Sequence, residues 1–115
     1  MTEHTGLPYR PSVEAGEWVV VSGQVGLRDG VLVEDFGEQV DQVLANLRAR
    51  LADHGLGMAD VVKTTCMLVD LERFAEFNEH YAAAFDEPRP ARSAFGVAAL
   101  PLGAAVEVEA WARRR

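Results

Sequence analysis

Apolar residues recur along the chain at two spacings, and each change of spacing marks an element. Trp18-Val19-Val20-Val21-Ser22 is apolar at consecutive positions and β-branched, which predicts a strand buried on both faces. Before it, Ser12-Val13-Glu14 reads as a short strand and Ala15-Gly16-Glu17 as a turn. From Asp35 to His54 the spacing becomes helical. Phe36, Val40, Val43, Leu44, Leu47 and Leu51 form one stripe, leaving Glu38, Asp41, Arg48 and Asp53 for water. Asp35 is an N-cap with Glu38 in capping-box position, and Gly55 is a stop. Val61 to Val69 returns to a period of two. Val62, Thr64, Cys66 and Leu68 share one face; Val61, Lys63, Thr65, Met67 and Val69 share the other.

Asp70 caps a second predicted helix, Leu71 to Phe85, whose buried stripe is Phe74, Phe77, Tyr81 and Phe85. After the proline-punctuated Asp86-Glu87-Pro88-Arg89-Pro90, the stretch Pro90 to Val97 reads as the strand around which the chain is organised. Leu100-Pro101-Leu102-Gly103 makes a turn into a last strand, Ala105 to Ala112. There Val106, Val108, Ala110 and Ala112 face one way, and Glu107, Glu109 and Trp111 the other. The order is ββαβαββ, with a short extra strand near Val31 after the Arg28-Asp29-Gly30 turn. It predicts an α+β sandwich, a mixed sheet with two helices on one face. The other face is left uncovered. Trp18 to Val21 is too apolar for an open face, which predicts a partner subunit and a homo-oligomer.

Composition narrows the functional classes. A chain of 115 residues, 49% hydrophobic and 25% charged, is expected to form one soluble domain over residues 1–115. The net charge of −7 argues against nucleic-acid binding, which needs basic surface to displace counterions. No apolar run is long enough for a membrane span, and Met1-Thr2-Glu3-His4 lacks a signal-peptide pattern. The single cysteine, Cys66, fits the cytoplasm and reads as a small core residue. Arg113-Arg114-Arg115 reads as a frayed tail.

Few residues suggest chemistry. Arg92 begins its strand between small neighbours, and its planar fork suits a carboxylate or a surface ion pair. Asn78 borders the apolar stripe of its helix, as a structural bridge or a site residue. Glu107 and Glu109 are either a wet sheet face or, shielded by another subunit, a candidate base. Gly23, late in its strand, marks a bulge or a close approach. Tyr9 is a candidate core residue. His4 and His80 have no metal-ligand spacing, and His54 suits a helix C-terminus.

Pro8-Tyr9, Ser22-Gly23-Gln24, the Gln39 to Leu47 helix, Asp60-Val61-Val62-Lys63-Thr64-Thr65 and Phe77-Asn78 with Tyr81 fall in a distinctive order. Pro90-Ala91-Arg92-Ser93, Leu100-Pro101 and Val106-Glu107-Val108-Glu109-Ala110 continue it. In this series the chain resembles the reactive intermediate deaminase family. The resemblance implies a chorismate-mutase-like fold and a homotrimer with sites between subunits. It also implies cofactor-independent hydrolysis of 2-imino or 2-enamino acids to 2-keto acids and ammonia. By motif position, Arg92 would hold the substrate carboxylate and Glu107 would work on the water. Tyr9, Ser22, Gly23 and Asn78 would line the pocket. No metal is implied. The chain departs from the family pattern at Leu7, Gly26, Ala94, Gly96 and Ala99. A non-catalytic binding module for a small carboxylate is the rival reading. An endoribonuclease is disfavoured by the charge.

Overall fold

The computed structural model describes residues 6–115. His4 lies outside the described residues. Strands β1 (Ser12–Ala15), β2 (Trp18–Gln24), β5 (Val61–Leu68), β6 (Ala91–Gly96) and β7 (Val106–Arg113) form one five-stranded sheet in the order β1-β2-β7-β5-β6. Only β5 and β6 run parallel. Strands β3 (Leu27–Arg28) and β4 (Val31–Leu32) pair as a separate hairpin. Its turn holds Asp29 at φ 52° and Gly30 at φ 79°, the left-handed pair a tight hairpin favours. Helices α1 (Phe36–Ala52) and α2 (Phe74–Ala84) cover one sheet face. This is the α+β arrangement that the order of elements predicts and the chorismate-mutase-like fold that the family resemblance implies.

Helix α1 forms as its spacing requires. Its whole predicted stripe is buried, and Asp35 Oδ2 accepts a 3.0 Å bond from the Glu38 amide. It ends at Ala52, and Gly55, at φ 73°, closes the turn with an amide bond to Ala52 O. Helix α2 starts later than expected. Asp70 caps a 3-10 turn over Leu71–Arg73, and the α-helix begins at Phe74. The core lies between these stripes and Val19, Val21, Cys66, Leu68, Val106, Val108, Ala110 and Ala112. Gln39, one of two buried polar residues among those described, ties the hairpin to the sheet. Its Nε2 donates to Val33 O at 2.7 Å, and its Oε1 accepts from the Ala105 amide at 2.8 Å. A β-carbon at Gly26 would lie 2.6 Å from Gln39 Cγ, so the glycine there matches this bridge.

Four expectations are corrected. Within the chain β2 is buried on one face only: Val19 and Val21 lie under the helices, whereas Trp18 is 37% exposed. Val62 does not join the core face, because a register shift between Val61 and Lys63 turns Val61 inward instead. The organising stretch around Arg92 is an edge strand; β7 holds the centre. The terminal arginines are tied down. Arg113 pairs with Glu17, Arg114 with Glu14 and Arg115 with Asp60. His54 lies just past the C-cap of α1, where its structural reading puts it, and also fastens β1 to that end. Its Nε2 lies 2.7 Å from Ser12 Oγ and its Nδ1 2.9 Å from Glu14 Oε1. Among the described residues, no helix is long and apolar enough to cross a membrane.

The cap yields a stability prediction. Asp35→Ala leaves the Glu38 amide without its partner and should lower stability by about 1 kcal/mol. Urea unfolding should show a lower midpoint at unchanged slope. An unchanged midpoint would show that the cap contributes nothing.

Candidate active site

The predicted site residues fall into two clusters. The first is built on β6 and α2. Arg92 pairs in register with Thr64 of β5, which points it toward the helical face. Its Nη1 donates a 2.7 Å bond to Asn78 Oδ1. Its guanidinium lies over three rings of α2: 4.9 Å from the Tyr81 centroid, 5.2 Å from Phe74 and 6.0 Å from Phe77. Asn78 is thus a bridge to the arginine, the structural reading left open for it. The Arg92 side chain is exposed and has no other hydrogen-bond partner among the described residues. Its remaining N–H groups can receive a carboxylate.

Beneath the arginine lies a small polar nest. Thr64 Oγ1 and the Tyr81 hydroxyl share a buried 2.7 Å hydrogen bond. Cys66 Sγ sits 3.8 Å from Thr64 Oγ1 and is fully buried. Burial pushes its thiol pKa up to about 11, outweighing the Thr64 contact and the Arg92 charge. It is therefore a protonated core residue and no nucleophile at neutral pH. Sequence reasoning placed Phe74 and Tyr81 in the core alone. Their second role, as a wall for Arg92, needed the pairing of β6 beside β5.

The second cluster lies on the opposite, open sheet face. Between Val21 and Gln24 the β2–β7 register shifts, so Ser22 and Gly23 form a bulge against β7. The Glu107 carboxylate lies against that bulge. A β-carbon at Gly23 would be 2.3 Å from Glu107 Oε2, so only glycine leaves the carboxylate its place. Burial raises the Glu107 pKa, and the neighbouring Glu109 raises it further. The Ser22 hydroxyl donates to Arg10 O at 2.7 Å, and its amide donates to Pro11 O at 2.9 Å. These bonds bring the Tyr9 segment alongside. Tyr9 is 56% exposed, which removes it from the core.

One chain does not bring Arg92 and Glu107 together. They stand on opposite faces, with β5 between their strands. The open face that carries Glu107 also presents Trp18 and Trp111, packed edge to face at 6.2 Å, with Trp111 45% exposed. Among the described residues, no group of His, Cys, Asp or Glu is placed to hold a metal ion.

Comparison with known proteins adds an independent line. The family model described as Endoribonuclease L-PSP matches residues 3–114. The chain is 41% identical to a 2-iminobutanoate/2-iminopropanoate deaminase of Salmonella typhimurium, covering 94% of this chain and 88% of that protein. It is 43% identical to the mouse protein of the same name, covering 90% of this chain and 78% of that one. A crystal structure of RidA from the Antarctic bacterium Psychrobacter superposes with a TM-score of 0.92 at 39% identity, covering 96% of this chain and 92% of that chain. Fold, motif order and these relatives agree: the chain belongs to the reactive intermediate deaminase family, the superfamily that the Endoribonuclease L-PSP model describes.

Proposed function

We propose that this protein hydrolyses 2-imino and 2-enamino acids to 2-keto acids and ammonia, in a site completed between subunits of a homotrimer. The observation that carries the reading is the Glu107 carboxylate, seated against Gly23 with its proton affinity raised by burial. Deaminase activity among named relatives supplies the reaction class. The fork of Arg92, held by Asn78, would take the substrate carboxylate and fix its orientation. Tyr9, Ser22 and Gly23 would line the Glu107 side of the pocket. Two copies are needed because the two clusters face opposite ways in one chain. The open face supports this: its apolar Trp18, Val20 and Trp111 are the surface a second copy would cover.

The chemistry balances with these groups and one water. Glu107 takes a proton from water as the oxygen adds to the imine carbon. Glu107 passes that proton to the imine nitrogen, giving a tetrahedral carbinolamine and an ionised carboxylate again. On collapse the hydroxyl proton moves through Glu107 to the nitrogen, the C–N bond breaks, and ammonia leaves as the carbonyl forms. The imine carbon is already electrophilic, so a placed water and a base suffice. The net charge of −7 repels a polyanionic substrate, which favours this reading over a nuclease. The cytoplasm is the proposed compartment, from the unpaired Cys66.

Two substitutions separate catalysis from binding. Glu107→Gln should cut imine turnover about a hundredfold while 2-ketobutyrate binding persists. Arg92→Lys should weaken transition-state stabilisation by about 2 kcal/mol, roughly thirtyfold. A coupled assay, with an amino-acid oxidase generating the imines, reads both. Wild-type turnover in Glu107→Gln would exclude Glu107 as the base. Binding of 2-ketobutyrate without any imine hydrolysis by wild type would favour the metabolite-binding module.

The raised Glu107 pKa fixes two pH signs. The base works ionised, so activity should fall on acidification at a higher pH than an ordinary glutamate would give. A carboxyl with a raised folded pKa makes the fold less stable as pH rises through that range. Glu107→Gln should therefore melt higher than wild type at neutral pH, and the gain should vanish below the ordinary carboxylate range. A lower melting point at neutral pH would contradict the assigned burial cost.

Gly23→Ala tests the seat itself. The methyl would displace the end of the flexible Glu107 side chain, so the fold should persist while turnover drops on the order of a hundredfold. Unchanged turnover would show that Glu107 acts from another position. Light scattering should give about three times the 12.6 kDa of one chain. A monomeric mass at micromolar concentration would remove the intersubunit site.

A further inference from the structure

We propose that Phe74 and Tyr81 are positioning residues for Arg92: their ring faces hold the guanidinium plane so that its free edge meets a carboxylate. The proposal rests on reading Arg92 as the substrate clamp, and it adds what makes the clamp rigid. An exposed arginine ordinarily samples many rotamers, and a ligand that fixes it must offset that entropy. Here the side chain is already constrained on two sides. Asn78 Oδ1 holds one Nη1–H at 2.7 Å, and the rings of Tyr81 and Phe74 lie 4.9 and 5.2 Å from the guanidinium carbon.

The platform is itself fixed. Tyr81 packs between Phe77, at 5.6 Å, and Phe85, at 4.7 Å. Its hydroxyl is held by Thr64 at 2.7 Å. Phe74 stacks on Phe77 with an interplanar angle of 13°. Thr64 is fully buried and directly opposite Arg92 in the β5–β6 register. A valine would fill that core position without demanding a polar partner. The threonine instead anchors the ring on which the arginine lies. The rings also keep water from one guanidinium face, which strengthens the bond its edge makes to an anion.

The test uses 2-ketobutyrate titrated calorimetrically into the full-length protein, with imine turnover and thermal midpoint recorded alongside. Phe74→Leu and Tyr81→Leu should each weaken keto-acid binding roughly tenfold and raise KM more than they lower kcat. Tyr81→Phe keeps the ring face and should restore most of the affinity lost in Tyr81→Leu. An ammonium has no plane to orient, so in an Arg92→Lys background the leucine substitutions should cost about twofold or less. The Arg92 Nε–H proton, shifted by ring currents in wild type, should move toward its free-arginine position in both leucine variants. Equal losses in both backgrounds, with the Arg92 signal unmoved, would mean that the rings only pack, and the proposal falls. Unchanged affinity in both leucine variants also overturns it. A wild type with a ring-shifted Arg92 signal that neither binds keto acid nor hydrolyses imines overturns the substrate-clamp reading, while the ring platform stands.

Discussion

Both helices pack on the same face of the sheet, so each strand residue must choose between a dry side and an open one. Along the central strand β7 that choice alternates without interruption. Val106, Val108, Ala110 and Ala112 go under the helices, and Glu107, Glu109 and Trp111 go to the open face. Apolar burial on the first face supplies the driving force for the fold. The same alternation leaves Glu107 no route into the core, and sends Arg92, through its register with Thr64, to the other side. The separation of the two charged groups is thus a consequence of strand period and of where the core lies.

The residues around each group restrict it in different ways. At Glu107 the device is a missing side chain: the bulge and Gly23 leave a seat that any β-carbon would fill. The seat raises the cost of ionising the carboxylate, and a base with raised proton affinity is better matched to transfer near neutrality. At Arg92 the device is added surface, three rings and an amide oxygen. Cys66, close beneath, is kept inert by the burial that packs the core.

Much of this was legible in the chain itself. The α1 stripe, its Asp35 cap and the alternation of β7 follow from local spacing, and local spacing is what a sequence carries directly. Register irregularities are not local. The shift at Val61–Lys63 turns Val62 out of the core, and nothing in Val61-Val62-Lys63 signals it. Strand order is not local either, so the stretch around Arg92 reads as central although it lies at the sheet edge. Trp18 to Val21 reads as buried on both sides, yet the chain covers only one of them; that excess of apolar residues pointed to a second copy. Arg92 stands out from its place between small neighbours, Glu107 as one of two glutamates on a strand face and Gly23 from its place late in its strand; motif position adds Ser22 and the roles. The reason for glycine at 23, and the wall of rings at Arg92, needed strands β2, β5, β6 and β7 brought side by side.

Placing Arg92 and Glu107 on opposite faces has a genetic consequence. If copies assemble so that the arginine of one meets the glutamate of the next, each complete site draws on two gene products. A subunit lacking only Arg92 and a subunit lacking only Glu107 would then be able to repair each other. One of their mixed contacts joins the two damaged halves, while the reverse contact joins the two intact ones. Two alleles, each inactive alone, would restore activity in one cell expressing both, an outcome closed to an enzyme whose whole site lies within a single chain.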